Sequence, residues 1–187
     1  VFTPFHVSHR WNMSDQAKAL RGLMEERQAS AHLSIGEHSG PSAHTIAVTS
    51  GKGGVGKSNI ALNLAITLAK QQASVCLLDA NLGLGNIDIL CGLNGYWNLS
   101  HAITGARRLN EIVLEGPEGI HLITGASGIV DVADAPPEAQ RDMVSQLAEL
   151  ERSHDYVIIY TATGIHRSVR RFVTAADIAL IVTTPEP

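Results

Sequence analysis

Cysteine and aromatic residues are scarce in this chain of 187 residues: two Cys, and 4% Phe, Trp and Tyr together. Two thiols, Cys76 and Cys91, make no disulfide scaffold and fit a reducing compartment. So few rings mean that any core is aliphatic. Charge is also sparse, at 17%, with 14 Lys and Arg against 18 Asp and Glu and a formal net charge of −4. That mild acidity excludes a protein that coats nucleic acid by bulk positive charge, so no direct nucleic-acid partner is expected. No apolar run approaches the roughly 18 residues of a membrane span. The first residues, with Pro4, His6, His9 and Arg10, lack the apolar stretch of a signal peptide. The expectation is a soluble cytoplasmic protein. Nine histidines are scattered without the spacing of a metal cluster. Hydrophobic residues reach 44%, which provides a core for one compact domain and excludes wholesale disorder.

The chain divides into three stretches. Residues 1–28 contain a loose arm and then a helix, capped by Ser14 and running to about Gln28, with Ala17, Leu20, Leu23 and Met24 on a narrow apolar stripe. Residues 29–43, rich in Ser, His, Gly and Ala, read as a linker. Residues 44–187 alternate apolar strands with helical runs. Strands are expected at Thr45–Thr49, Ser74–Asp79, Ile120–Ile123, Tyr156–Ile159 and Ile178–Thr183. Helices are expected at Lys57 to Gln71, Pro136 to Ser153 and around Val169–Ala175. Continuous apolar strands between helices indicate an α/β fold, a doubly wound and mostly parallel sheet covered on both faces. Thr183, Thr184, Pro185, Glu186 and Pro187 read as the exit of a buried strand, so the C-terminal part of the domain is expected to be missing.

Between the first strand and the first helix lies Gly51-Lys52-Gly53-Gly54-Val55-Gly56-Lys57-Ser58, followed by Asn59. This satisfies G-x-x-x-x-G-K-[ST] in the strand–helix setting its chemistry requires. Glycines let backbone N–H groups turn around a phosphate while the helix aims its positive end at the same anion. Lys57 is placed for the β- and γ-phosphates and the Ser58 hydroxyl for Mg²⁺. ATP and ADP are the expected ligands, bound through Gly51 to Asn59. Arg167, Arg170 and Arg171 form a small basic patch on a helix, read as a solvated face.

The string SGKGGVGKS resembles the deviant phosphate loop of the MinD/ParA family of P-loop ATPases. Leu78-Asp79-Ala80-Asn81-Leu82-Gly83-Leu84-Gly85-Asn86-Ile87-Asp88 is similar to that family's first switch segment. Asn98-Leu99-Ser100-His101, Glu115-Gly116-Pro117 and Gly125-Ala126-Ser127-Gly128 resemble its FlhG-like flagellar-number regulator branch. Asp15-Gln16-Ala17-Lys18-Ala19-Leu20-Arg21 is similar to the N-terminal helix motif of the same branch. The resemblance implies an ATP-dependent homodimer in which Lys52 reaches the partner's nucleotide. It implies catalytic roles for Lys52, Asp79 and position 81, with Ser58 and Asp79 at the metal. It also implies docking of Asp15, Gln16, Ala17, Leu20 and Arg21 on an FlhF-type GTPase of the SRP family. Membrane contact in related proteins comes from a C-terminal amphipathic segment, which is not expected in this chain.

The iron-protein reductases share the loop but need a cysteine after the second switch strand, and no cysteine follows Cys91. Two departures stand out. Asn81 replaces the second carboxylate of the switch I pattern, and an amide is a poor proton acceptor. Tyr160-Thr161-Ala162-Thr163-Gly164-Ile165 stands where the family has Asp-Thr-Gly-Ala-Gly-Ile. A phenol therefore replaces the carboxylate that supports the metal, and Ala162 replaces a glycine. Three functions stay open: an ATP-dependent flagellar regulator, a hydrolysis-poor module working through its N-terminal helix, and an ordinary ParA/MinD-type ATPase that positions chromosomes or other cargo.

Overall fold

The computed structural model describes residues 43–81, 85–125 and 137–185. The expected helix Ser14–Gln28 and nearly all of the linker lie outside the described residues. Six strands form one sheet: β1 (His44–Ser50), β2 (Val75–Ala80), β3 (Val113–Glu115), β4 (His121–Ile123), β5 (Tyr156–Thr163) and β6 (Ile178–Ile181). Their order is β3-β4-β2-β5-β1-β6. The pairs β1–β5, β1–β6, β2–β4 and β2–β5 are parallel and β3–β4 is antiparallel. The helices are α1 (Lys57–Lys70), α2 (Ile87–Leu90), α3 (Leu99–Ile103), α4 (Pro137–Arg152) and α5 (Arg167–Ala175).

Alternation along the central strands builds two cores. Val75 and Leu77 of β2, with Val48 and Ile158, face Ala61, Leu62 and Ala65 of α1. Cys76 and Leu78, with Val157 and Ile159, face the other way onto α3, α4 and Leu109. Both layers are mainly aliphatic, with Tyr160 a buried ring in the first and Trp97 and Phe172 packed against the second. Burial pushes the Cys76 thiol up to about 12 and the Cys91 thiol above its usual range, so both behave as core residues. Among the described residues no helix is long and apolar enough to cross a membrane.

Two features differ from the sequence reading. Strand β3 was not expected, because three residues of mixed polarity carry no periodicity; it exists because Gly116 N–H donates to Ile120 O at 2.8 Å and closes a tight turn. The run Ile178–Thr183, expected as a buried strand, is the sheet edge. Ile178 is 52% and Ile181 67% exposed, and only Val182 is buried beyond it. An apolar run shows that a strand wants cover; it does not say which element supplies it, and among the described residues none does on that side.

A histidine pair joins β4 to the turn before β5. His121 Nδ1 lies 2.7 Å from His154 Nε2, and His154 Nδ1 lies 2.8 Å from Leu150 O. A carbonyl only accepts, so Nδ1 of His154 carries the proton and Nε2 accepts from His121. Burial first, and then His121, hold the His154 imidazolium form back, so its pKa is lowered. A group that binds protons more weakly when folded contributes stability above its ordinary value near ~6.5, and that contribution is lost as pH falls. The melting temperature should therefore drop by a few degrees more between pH 8 and pH 5 in the native chain than in His154→Gln. Equal slopes in the two proteins would show that the pair carries no linkage.

Candidate functional site

The turn from β1 into α1 makes the site. Gly54 and Gly56 have φ of 79° and 85°, a left-handed backbone that strains any residue with a Cβ. A Cβ built at Gly51, Gly53, Gly54 or Gly56 would meet nothing within 4 Å, so Gly54 and Gly56 answer to backbone conformation and not to crowding. Gly56 starts α1, and no side chain caps that end. The first N–H groups of a 14-residue helix thus remain for an anion, where the helix dipole adds its positive end.

An open pocket of about 320 Å³ lies over this turn. Lys52, Gly54, Val55, Gly56, Lys57, Ser58 and Asn59 line it, joined by Ser50, Asn86, Leu90, Tyr160 and Thr163. The loop residues named from the sequence are brought together here, with Gly51 and Gly53 on the same turn but outside the lining. Among the described residues two lysines and no carboxylate border the space, which is the electrostatics of a polyphosphate site.

Lys57 is buried at 4% exposure. Its Nζ donates to Thr161 O and sits 4.4 Å from the centre of the Tyr160 ring. Burial lowers its pKa to about 8, with Asp79 pulling it back up. The ammonium is thus held charged at neutral pH in a poorly hydrated place, where an incoming phosphate gains more than it would in water. Ser58 Oγ donates to Tyr160 Oη at 2.8 Å.

Asp79 and Asn81 are placed differently. They stand at the end of β2 outside the pocket lining. Asp79 is fully buried, and its oxygens accept from the backbone N–H groups of Asn81 at 3.0 Å, Asn86 at 3.1 Å and Ile87 at 3.4 Å. Burial raises its pKa to about 6 against the pull of those three donors. Gly85 and Gly125 wrap it closely: a Cβ on either would come within 3.1 Å of the carboxylate. Asp79 anchors the segment leading into α2. Asp15, Gln16, Ala17, Leu20 and Arg21, like Leu82, Gly83 and Leu84 of the first switch, lie outside the described residues.

Sequence reasoning noticed Tyr160 as a lost charge but missed its contacts. The register pairs it with Val48 of β1 and Asp79 of β2, which delivers its side chain to the phosphate loop; only strand order reveals this. Asn86 lay inside the segment similar to the first switch but was given no role there, and Leu90 was missed, since nothing in a short helix distant in sequence points at the loop.

The loop fits a nucleotide's phosphates. It does not fit Mg²⁺ in the same way. Mg²⁺ is usually held by one or two carboxylates beside the phosphates, whereas this pocket offers the neutral Ser58 hydroxyl already bonded to a neutral phenol. Among the described residues no group of three or more His, Cys, Asp or Glu side chains is arranged to hold a metal ion.

Comparison with known proteins bears on the same region. A ParA family profile, described as NUBPL iron-transfer P-loop NTPase, matches residues 42–112. The antiactivator FleN of Pseudomonas aeruginosa is 40% identical over 142 residues, 76% of this chain and 51% of FleN. The flagellum site-determining protein YlxH of Helicobacter pylori is 39% identical over 178 residues, 94% of this chain and 58% of YlxH. The crystal structure of the septum site-determining protein MinD from Pyrococcus horikoshii, complexed with Mg-ADP, superposes with a TM-score of 0.66 at 24% identity. That superposition covers 77% of this chain and 59% of MinD, and it supports the fold. The chain spans about half the length of the curated relatives it matches.

Proposed function

Because this chain carries a P-loop NTPase domain of the ParA/MinD family, we propose that it is an ATP-binding regulator of flagellar number or placement, working through an ATP-dependent dimer and hydrolysing slowly. The observation that carries the nucleotide reading is the uncapped start of α1 with Lys57 and Ser58 at the mouth of the pocket. The flagellar assignment rests on FleN and YlxH. The YlxH likeness spans 94% of the chain and so extends into the first 42 residues.

That extension favours a working role for the N-terminal segment. Its stripe Ala17, Leu20 and Met24, beside Asp15, Gln16 and Arg21, suits a groove on an FlhF-type GTPase. A Gln16 amide there is the kind of group that orients an attacking water. Slow hydrolysis follows from Asn81 and Tyr160. An amide and a phenol supply neither a ready proton acceptor nor a fixed negative charge.

Dimerisation is tested by light scattering during a nucleotide titration. Native protein with ATP should reach twice the monomer mass and stay monomeric with ADP. Lys52→Ala should bind ATP yet remain monomeric, because Lys52 lines the pocket rim and its role is assigned to the facing subunit. A native chain that binds ATP and stays monomeric would remove the dimer from this reading.

A further inference from the structure

We propose that Tyr160 takes over the place of the divalent cation, so that this site binds nucleoside di- and triphosphates without help from Mg²⁺. The inference rests on the nucleotide reading above and concerns how that same site balances phosphate charge.

Three observations carry it. Among the described residues the lining holds Lys52 and Lys57 and no carboxylate, so the charge it presents to a phosphate is positive and is supplied by the protein. The buried carboxylate behind the loop, Asp79, stands outside the lining and is committed to three backbone N–H groups. The third is Tyr160 itself, 4% exposed and touching both residues that handle phosphate and metal. Its ring lies under the Lys57 ammonium at 4.4 Å and its hydroxyl is 2.8 Å from Ser58 Oγ.

The geometry explains why these contacts displace a cation. Neighbouring ligands of an octahedral Mg²⁺ with bonds near ~2.1 Å are about 3 Å apart. The phenol oxygen stands at that spacing from Ser58, at the position a second ligand of such an ion would take. A neutral phenol returns none of the charge stabilisation that an ion gains from a carboxylate, and Mg²⁺ sheds its water reluctantly. The ring compensates on the other side. Its negative face supports the Lys57 ammonium, which keeps the lysine charged and fixed in place for phosphate.

The test is calorimetric titration of the native chain with ADP and with ATP, in Mg²⁺ and in EDTA, alongside Tyr160→Asp and Tyr160→Asn. Native affinity should change by less than about threefold between the two conditions. Tyr160→Asp should become Mg²⁺-dependent by about tenfold or more, whereas Tyr160→Asn, equally shortened but uncharged, should not. Native binding that weakens more than about tenfold in EDTA would overturn the inference and leave the nucleotide site standing. A folded Tyr160→Asp that gains no Mg²⁺ dependence would overturn the role given to Tyr160. Should that variant fail to fold, Mn²⁺ resonance on native protein with ADP decides the matter: a protein-held Mn²⁺ signal refutes the inference, and only the free Mn²⁺–ADP signal supports it. No binding of either nucleotide under any condition would refute the function proposed above, and this inference with it.

Discussion

Lys57→Ala is expected to abolish measurable binding of ATP and ADP. Among the described residues the lysine supplies the one buried ammonium in the pocket, and hydrogen bonds to charged groups contribute about 1.5–3 kcal/mol each. Losing contacts to two phosphates weakens binding by about 10²- to 10⁴-fold, beyond the range in which a titration gives a usable heat. The same change should leave the fold intact. Burial holds the Lys57 pKa at about 8, below its ordinary value near ~10.4, so the charged amine is a cost to the unliganded fold below pH 8. That cost is relieved as pH rises from 8 towards the unfolded value. Removing the amine should therefore lower the melting temperature at pH 7 by no more than a few degrees. Unchanged affinity in a folded Lys57→Ala would show that the loop does not hold the phosphates.

Restoring both acidic positions should produce the second large effect. The native chain is expected to turn ATP over well below about 1 per second, and the double variant Asn81→Asp with Tyr160→Asp at least about tenfold faster than the native chain. Neither single change should achieve this. Asn81→Asp alone adds a proton acceptor but leaves position 160 without the charge that supports the metal. Tyr160→Asp alone opens the pocket beside Ser58 and supplies a charge, but no acceptor for the proton of an attacking water. The two groups act on one reaction, so their effects are non-additive. Steady-state phosphate release from the four proteins, in Mg²⁺, reads the cycle. A native chain already at an ordinary ATPase rate, or a double variant no faster than either single one, would end the account of slow hydrolysis.

The phosphate loop was legible because its constraints are local. Gly54 and Gly56 are needed for left-handed backbone at those positions, and Lys57 and Ser58 begin the helix that follows. Strand and helix types were equally legible, since Val75–Leu78 and Tyr156–Ile159 are uninterrupted apolar runs and parallel strands buried on both faces need such runs. The edge was not legible. Ile178–Ile181 looks like a central strand by composition and stands uncovered among the described residues, because cover depends on which distant elements fold over it. The same limit governed the site. From the sequence, Tyr160 could be known only as a missing charge and Asp79 only as a ligand in waiting. Parallel register then set Tyr160 between Val48 and Asp79, placing its phenol on Ser58 and its ring beneath Lys57. Gly85 and Gly125 approach Asp79 closely, and its oxygens are taken up by the backbone N–H groups of Asn81, Asn86 and Ile87. Local sequence thus determined that a phosphate site exists and which residues form its loop. The order and register of strands far apart in the chain decided what surrounds that site, because pairings and contacts between residues 81 to 104 positions apart depend on how the whole sheet is assembled.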